Sequence, residues 1–234
     1  MRSEVTVRWG GLDHHGSDRF EPLLSREERD RAASFRFVRD RSRYVVARGL
    51  LRTFLGERLG LDPAQIEFAY GEHGKPCLAE DTGLHFNLSH SAGVMALAIS
   101  EGREVGVDVE AVREDLFAEG IARRYLPAQV ATEIERRPEA DRSREFFHAW
   151  VRQEAYAKCR GVGLELVGQS PDPEDWTILD LDLGRGYAGA LAIEGGGLHG
   201  GEQVVADPAS FADSVVELDQ VVDVLLAGAA EPLL

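Results

Sequence analysis

Alternating hydrophobic and polar positions mark several short segments of this chain as strands. In EVTVRW (residues 4–9) apolar side chains occupy every second position, which is the pattern of a strand with one buried face. Six further segments alternate in this way or form short apolar runs bounded by turn residues: IEFAY (66–70), LHFNL (84–88), VMALAIS (94–100), EVGVDVE (104–110), WTILDLDL (176–183) and YAGALAI (187–193). The pattern therefore predicts strands in both halves of the chain.

Apolar residues at helical spacing predict helices before, between and after these strands. SREE (25–28) is a capping box that opens a short helix. A longer helix is predicted after Asp40, with an apolar stripe on one face and arginines off it; the stripe is Tyr44, Ala47, Leu51, Phe54 and Leu55, and the arginines are Arg41, Arg48 and Arg52. Asp62 before Pro63 predicts another short helix. Helical patterns then cover 114–125, 127–137 and 143–159.

These elements predict an α+β fold. Strands and long helices do not alternate regularly, which disfavours a doubly wound parallel sheet. No GxGxxG motif joins a predicted strand to a predicted helix, and no P-loop occurs. GEHGKP (71–76) and GGGLHGG (195–201) are predicted loops, and the tail segment DQVVDVLLAG (219–228) fits a helix and a strand equally well.

Composition fits an ordinary globular protein. The chain has 234 residues, 44% of them hydrophobic and 29% charged, which is enough for one large domain or two small ones. The N-terminal segment lacks the apolar run of a signal peptide, and no segment approaches the roughly 18 apolar residues of a membrane helix. We therefore expect a cytoplasmic protein that does not associate with membranes. Cys77 and Cys159 are too few for a disulfide framework, and we interpret both as free thiols.

The charge is large and unevenly distributed. A formal net charge of -15 argues against a nucleic-acid partner. Residues 26–52, however, contain nine arginines and four acids, a local balance of +5, so the remainder of the chain carries -20. Such a basic segment indicates a specific anionic ligand or partner. The alternative is a solvated helix face with internal ion pairs.

Two acidic residues on the strand EVGVDVE are candidate metal ligands. Strand alternation places Val105, Val107 and Val109 on one face, and Asp108 and Glu110 on the other. Paired carboxylates suit Mg²⁺, which completes its coordination with water and substrate phosphate oxygens. Taken alone, the same pattern also fits the solvent-facing side of an amphipathic strand.

A third acid lies on the predicted helix FFHAWVRQEAYAKCRG (146–161), which ends at Gly161. Glu154 and Lys158 are four residues apart and share a face with Trp150. The pair could be a simple surface ion pair. Lysine occurs only at positions 75 and 158, beside 24 arginines, which indicates that a compact ammonium is needed at these two places.

Five segments, in this order and spacing, resemble the Sfp-type 4'-phosphopantetheinyl transferase family. FNLSHSAG (86–93), VGVDVE (105–110) and WVRQEAYAKCRGVGL (150–164) are similar to its three signature blocks. HGKP (73–76) and FRFVRDRSRYVVARGLLR (35–52) are similar to its upstream blocks. The resemblance covers about residues 25–165. The tryptophan and alanine around Glu154 resemble the family's WxxxEA subgroup, which mostly serves secondary-metabolite synthases.

The resemblance implies a fold and an activity. The fold is a pseudodimer of two similar α+β halves, each with a small antiparallel sheet packed by helices, and the active site lies in the cleft between them. The halves would be residues 1–104 and 105–234, and a monomer would suffice. The activity is Mg²⁺-dependent transfer of the 4'-phosphopantetheine group of coenzyme A to a serine of an apo acyl or peptidyl carrier protein, with release of 3',5'-ADP. Polyketide, nonribosomal-peptide and fatty-acid synthases supply such carriers.

The resemblance also implies roles for individual residues. The metal ligands would be Asp108, Glu110 and Glu154. Glu154, as proton acceptor, and Lys158, as phosphate contact, would be the catalytic residues. The coenzyme would be bound by Arg31, Arg48, Gly74, Lys75, Pro76, Ser89 and His90, with a protonated His90 pairing with phosphate. Gly74 and Pro76 would shape the adenine side.

One position departs from the family pattern, and two other functions remain open. Gln153 stands where the family usually has lysine. We expect altered carrier or phosphate contact there, because position 153 is turned by about 100° from the carboxylate-bearing position 154. The first alternative function is a Mg²⁺-dependent hydrolase of nucleotide pyrophosphates that uses the same carboxylates. The second is a non-catalytic module that binds coenzyme A or a carrier.

Overall fold

The computed structural model describes residues 5–114, 119–162, 172, 174–196 and 204–207. The strands are β1 (Val5–Gly11), β2 (Phe68–Tyr70), β3 (Pro76–Leu78), β4 (Leu84–Ser91), β5 (Val94–Glu101), β6 (Val105–Ala111), β7 (Trp176–Asp180), β8 (Tyr187–Glu194) and β9 (Val204–Asp207). The α-helices are α1 (Arg26–Ala33), α2 (Val38–Leu59), α3 (Glu119–Tyr125), α4 (Ala128–Arg136) and α5 (Glu139–Arg160). Short 3-10 helices span Ser17–Arg19, Glu21–Leu23 and Pro63–Gln65. No α-helix among these residues is long and apolar enough to span a membrane.

The protein is an α+β fold of two halves, each with a sheet and a long helix. The first sheet has the strand order β4-β5-β1-β9 and the second has the order β6-β8-β7, while β2 and β3 form a separate hairpin. All pairings are antiparallel except that of β9, which runs parallel to β1. The long helices α2 and α5 each have 22 residues and each end at a glycine with positive φ, Gly60 and Gly161.

Three hydrophobic clusters hold these layers together. The first packs α2 against one face of the first sheet, through residues such as Leu51, Phe54 and Leu97. The second packs α5 against one face of the second sheet. The third lies between the two sheets, where β1 and β5 meet the valines of β6 and the apolar side chains of β8. The predicted alternation on β6 is confirmed, because Val105, Val107 and Val109 are buried in this third cluster.

The structure departs from the sequence predictions at several elements. Helix α2 begins at Val38 and not after Asp40, which lies in its first turn. Strand β4 continues to Ser91, beyond the predicted end at residue 88. Strand β9 was not predicted; it comes from beyond residue 104 and yet joins the first sheet, so the division of the chain at that residue stays a prediction. Residues 115–118, most of the predicted loop 195–201 and all of 219–228 lie outside the described residues.

The sequence pattern places the arginines of α2 on a charged face away from its apolar stripe. Two of these arginines are buried instead. Arg48 and Arg52 are 8% and 2% exposed, and both bind the buried carboxylate of Glu28. Arg48 Nε donates to Glu28 Oε1 and Arg52 Nε to Oε2, each at 2.7 Å, and the Ser25 N–H donates to the same carboxylate at 2.8 Å. The predicted capping box of α1 is confirmed by this Ser25–Glu28 pair. Both guanidinium groups also lie over the ring of Phe68.

Replacement of Glu28 by glutamine should therefore destabilise the fold strongly. Glutamine leaves two buried guanidinium groups without a counter-charge, and breaking a buried ion pair from one side typically costs about 3–5 kcal/mol. We expect a loss of that size in the free energy of unfolding, measured by urea denaturation at neutral pH. Glu27→Gln is the matched control, because Glu27 is exposed on the same helix. Equal stability of the two variants would contradict the assigned role of Glu28.

The same ion pairs make the stability pH-dependent. Burial alone would raise the pKa of Glu28, but Arg48, the Ser25 N–H and Arg52 together hold that pKa below its usual value. Because the folded-state pKa is depressed, this stabilisation is present above the ordinary glutamate pKa and is lost as the pH falls through the folded-state value. The acid limb of the stability curve should accordingly be shallower in Glu28→Gln than in the unmodified protein.

Candidate functional site

The two halves are joined along neighbouring edge strands by a row of polar side chains. Strands β4 and β6 each lie at the end of their own sheet, so their outward backbone groups need other partners. Three alternate side chains of β4 accept hydrogen bonds from three alternate N–H groups of β6: Asn87 from Val107 (2.9 Å), Ser89 from Val109 (3.4 Å) and Ser91 from Ala111 (3.2 Å). The alternation in FNLSHS thus places its polar residues along the junction.

Two of these side chains also hold the acids of β6. Ser89 Oγ donates to Asp108 Oδ1 and Ser91 Oγ donates to Glu110 Oε2, each at 2.7 Å. Asp108 is 3% exposed and Glu110 is half-buried. The family resemblance implies that Ser89 contacts substrate phosphate, whereas the structure gives its hydroxyl a carboxylate partner. Ser89 therefore orients Asp108, and its predicted contact with phosphate stays a prediction.

Helix α5 brings the third acid and an ammonium group to the same place. Lys158 Nζ donates to Asp108 Oδ1 at 2.5 Å and to Ser89 Oγ at 3.0 Å. Burial, followed by repulsion from Asp108, raises the pKa of Glu154; Lys158 opposes this rise and Glu110 adds to it. The predicted metal ligands Asp108, Glu110 and Glu154 are thus electrostatic neighbours, and Lys158 lies among them.

The donor set of this cluster fits a divalent cation. Asp108 and Glu110 both act electrostatically on Glu154, and Asp108 Oδ2 is buried without a hydrogen-bond partner among the described residues. Oxygen donors of this kind suit Mg²⁺. No three His, Cys, Asp or Glu side chains of the described part of the chain already lie close enough to hold an ion. Metal binding therefore requires Glu110 and Glu154 to turn towards Asp108 while the Lys158 ammonium moves aside.

The close approach of α5 to β6 depends on Gly106, which the sequence reading did not single out. A Cβ atom at this position would lie 2.1 Å from the Ala155 carbonyl oxygen and 2.3 Å from the Cys159 nitrogen. Both are backbone atoms of α5, so a side chain at position 106 would force the helix away from the strand. Gly106 thereby permits Glu154 and Lys158 to reach the level of Asp108.

Gly106→Ala should accordingly impair stability and activity together. We expect the free energy of unfolding to fall by about 1–3 kcal/mol, as is typical of overpacking. We expect the catalytic rate to fall by more than about tenfold, because α5 carries two of the site residues. Gly120→Ala is the control, since a Cβ there meets nothing within 4 Å. Denaturation and initial-rate measurements check both effects, and unmodified behaviour of Gly106→Ala would refute the packing role.

His90 lies at the end of β4 on the opposite face from Ser89. It is exposed, and the surrounding protein atoms and the Lys158 ammonium lower its pKa, with a further contribution from Arg43. The family resemblance implies a protonated His90; the lowered pKa instead favours the neutral imidazole at neutral pH when no anion is bound. Arg43 was not among the predicted residues. Its guanidinium binds Asp13, with Nε 2.6 Å from Oδ1, and its charge reaches His90.

The other predicted coenzyme residues are divided between two places. Arg31 is exposed on α1, with its guanidinium 5.5 Å from the centre of the Phe35 ring, and Arg48 is engaged by Glu28 as described above. Gly74 has a φ of 80°, as the turn before β3 requires, and Pro76 begins that strand. Lys75 and Pro76 line a cavity of about 490 Å³ between the halves. Lys75 points to β6 and α5, not into the carboxylate cluster.

Gln153, the departure from the family pattern, is 9% exposed. An amide costs less free energy to bury than an ammonium group, so the neutral residue suits this environment. The altered carrier or phosphate contact expected at this position stays a prediction.

A two-half α+β chain with acids and an ammonium gathered at the junction has the arrangement of an enzyme that acts on a phosphorylated substrate in a cleft. Comparison with known proteins agrees. A family model described as 4'-phosphopantetheinyl transferase, N-terminal, matches residues 13–102, and the 4'-phosphopantetheinyl transferase superfamily model matches residues 104–206. The chain belongs to the Sfp-type 4'-phosphopantetheinyl transferases and is an enzyme of that activity.

Individual relatives support this assignment. The 4'-phosphopantetheinyl transferase HetI of Nostoc is 32% identical over 189 residues, which cover 74% of this chain and 80% of the relative. The 4'-phosphopantetheinyl transferase Sfp of Bacillus subtilis is 27% identical over 155 residues, or 66% of this chain and 68% of the relative. The 4'-phosphopantetheinyl transferase AcpT of Escherichia coli O157:H7 is 31% identical over 158 residues, or 66% and 74% of the two chains.

Proposed function

We propose that this enzyme transfers the 4'-phosphopantetheine group of coenzyme A to a serine hydroxyl of an apo carrier protein, with Mg²⁺ as cofactor and 3',5'-ADP as leaving product. The observation that carries the proposal is the charged cluster at the junction of the halves, where Lys158 binds Asp108 and where Asp108, Lys158 and Glu110 all act on the pKa of Glu154. The reaction joins the serine oxygen to the phosphorus that bears the pantetheine arm and breaks the bond from that phosphorus to 3',5'-ADP.

The three carboxylates would hold the metal ion. When bound, Mg²⁺ neutralises the charge on the pyrophosphate and orients it for displacement. Asp108 suits the role of central ligand, because it is buried and Ser89 fixes its orientation. The half-buried Glu110 and Glu154 can turn towards it. Lys158, released from Asp108, would pair with a phosphate oxygen of the coenzyme.

Glu154 would also receive the proton of the carrier serine, directly or through a water molecule. Burial and Asp108 raise the pKa of Glu154 in the metal-free protein, whereas a bound cation would lower it, so metal binding and proton acceptance oppose each other at this residue. His90 and Arg43 would bind phosphate oxygens at the end of β4, and bound phosphate would favour protonation of the imidazole. Arg31, Arg48, Gly74 and Pro76 stay proposed contacts of the 3',5'-ADP part of coenzyme A.

The class of carrier follows from the WxxxEA pattern around Glu154. By its resemblance to the subgroup with that pattern, we propose carriers of polyketide or nonribosomal-peptide synthases, ahead of fatty-acid carriers. Both halves of the proposed cleft come from one chain, which supports a monomer as the working unit.

Product analysis tests this function against the alternatives. We expect one 3',5'-ADP to form for each carrier modified, and both products to disappear on chelation of divalent ions. Cleavage of coenzyme A without modification of any carrier would instead establish a hydrolase. Binding of coenzyme A without any turnover would leave only a binding module. A panel of apo carriers from the three synthase classes, each at the same concentration, would rank the partners by initial rate.

A further inference from the structure

The side chain of Lys75 joins the two halves of the protein at one point. Its Nζ donates to Glu104 Oε2 at 2.6 Å, to the Cys159 carbonyl oxygen at 2.9 Å and to the Val105 carbonyl oxygen at 3.2 Å. An ammonium group has three N–H donors, so all three are used. The side chain is only 18% exposed. A substrate phosphate could gain this ammonium only by displacing one of these acceptors.

The acceptors belong to the two elements that carry the carboxylate cluster. Val105 begins β6 and Glu104 directly precedes it, while Cys159 lies in the last turn of α5. Carbonyl groups in the last turn of a helix lack partners within the helix, and the helix dipole favours a cation there. The stem of Lys75 also passes close to Gly161, since a Cβ built there would lie 3.6 Å from Lys75 Cδ. Lys75 therefore caps α5 from the other half of the molecule.

This contact lies next to the catalytic groups along both elements. Cys159 directly follows Lys158 on α5, and Glu104 precedes Asp108 by four residues on the same segment. Between these points the strand and helix are in backbone contact at Gly106. The pair β6–α5 is thus fixed at one end by Lys75 and at the other by the Lys158–Asp108 contact. A shift at the first end would change the alignment at the second.

Both carboxylate oxygens of Glu104 have hydrogen-bond partners, and the grouping of acceptors around Lys75 Nζ requires a lysine at position 75. His85 Nδ1 lies 2.9 Å from Glu104 Oε1, so each carboxylate oxygen has its own partner. A guanidinium group is a planar fork and cannot direct three donors at acceptors grouped around one nitrogen. This explains why a chain with 24 arginines uses lysine at position 75.

We propose that Lys75 is a positioning residue, and that with Glu104 and His85 it forms an inter-half clamp that aligns α5 with β6 and so sets the geometry of Glu154, Lys158 and Asp108. The proposal rests on the proposed function, because it takes these three residues as the transfer site. It replaces the contact between Lys75 and substrate phosphate that the family resemblance implies.

Steady-state kinetics well below the unfolding temperature test the clamp. We expect Lys75→Met and Glu104→Gln each to lower kcat roughly ten- to a hundredfold, because small misalignments of reacting groups have effects of this size. The Kd for coenzyme A should change by less than about threefold. The double variant should be no slower than Lys75→Met alone, since the contact with Glu104 is already lost with the ammonium group.

Two further variants separate the clamp from a simple loss of positive charge. Lys75→Arg should remain slow, because arginine cannot make the three contacts. Arg160→Met removes a cation from the residue after Cys159 and should leave kcat unchanged. A Kd for coenzyme A raised more than about tenfold in Lys75→Met, with kcat intact and with Glu104→Gln unaffected, would overturn the proposal in favour of direct ligand contact.

Thiol labelling gives a readout that needs no transfer activity. Cys159 is 1% exposed and burial raises its pKa to about 12, so its labelling in a Cys77→Ser background should be very slow. Lys75→Met should accelerate this labelling by at least about tenfold, because the end of α5 loses its anchor. An unchanged labelling rate would refute the clamp. A protein that labels as expected but modifies no carrier would refute the proposed function instead.

Discussion

Asp108→Asn should abolish carrier modification almost completely, with kcat lowered by about a thousandfold or more. Asparagine keeps the size of the side chain and one oxygen for Ser89 Oγ, so local packing is preserved. The negative charge is lost, and with it the proposed central metal ligand and the partner of Lys158. The effect should therefore be on the chemical step and not on folding. Initial rates with saturating coenzyme A and thermal unfolding of the same preparation measure both.

Asp180→Asn is the matched control for this variant. Asp180 lies on β7 and its carboxylate binds Arg152, with Oδ1 2.7 Å from Nε, so it is another aspartate paired with a cation. It is exposed, however, and takes no part in the carboxylate cluster. We expect transfer at the unmodified rate. Retention of activity in Asp108→Asn would remove the proposed metal site.

Glu154→Gln should have opposite effects on activity and stability. The neutral amide is a poorer metal ligand and cannot accept the serine proton, so we expect kcat to fall by about a hundred- to a thousandfold. The pKa of Glu154 is raised by burial and by Asp108, which means that its ionised form is disfavoured in the fold. Removing that charge should raise the unfolding temperature of the metal-free protein. Active sites commonly store such unfavourable electrostatics, because function requires it.

Excess Mg²⁺ supplies the control for this interpretation. Bound metal would compensate the repulsion among the three carboxylates, so the stability advantage of Glu154→Gln should shrink when Mg²⁺ is added. A fall in both activity and unfolding temperature would show instead that Glu154 supports the fold through contacts that glutamine cannot make.

Local patterns were sufficient to predict much of the site. The alternation of EVGVDVE places Asp108 and Glu110 on one face whatever the strand pairs with, and the four-residue spacing of Glu154 and Lys158 places them on one side of a helix. The capping box at Ser25 depends on four consecutive residues. Each of these features is determined within a few positions of the chain, which is the range at which sequence patterns are informative.

The features that sequence analysis missed depend on residues far apart in the chain. The burial of Arg48 and Arg52 requires Glu28 from a neighbouring helix, and a helical pattern alone cannot identify a buried ion pair. The role of Ser89 depends on the side-by-side arrangement of β4 and β6 from different sheets. The sequence alone does not show that Gly106 packs against the backbone of α5. It also does not show that β9, near the other end of the chain, pairs with β1.

The central claim is that this chain modifies a carrier protein through the carboxylate cluster at the junction of its halves. The most direct test is the intact mass of an apo carrier after incubation with coenzyme A, Mg²⁺ and the enzyme. The account predicts a gain equal to one phosphopantetheine group with the unmodified enzyme, and no gain with Asp108→Asn or after chelation. Equal modification by Asp108→Asn, or no gain on any carrier while coenzyme A still binds, would contradict it.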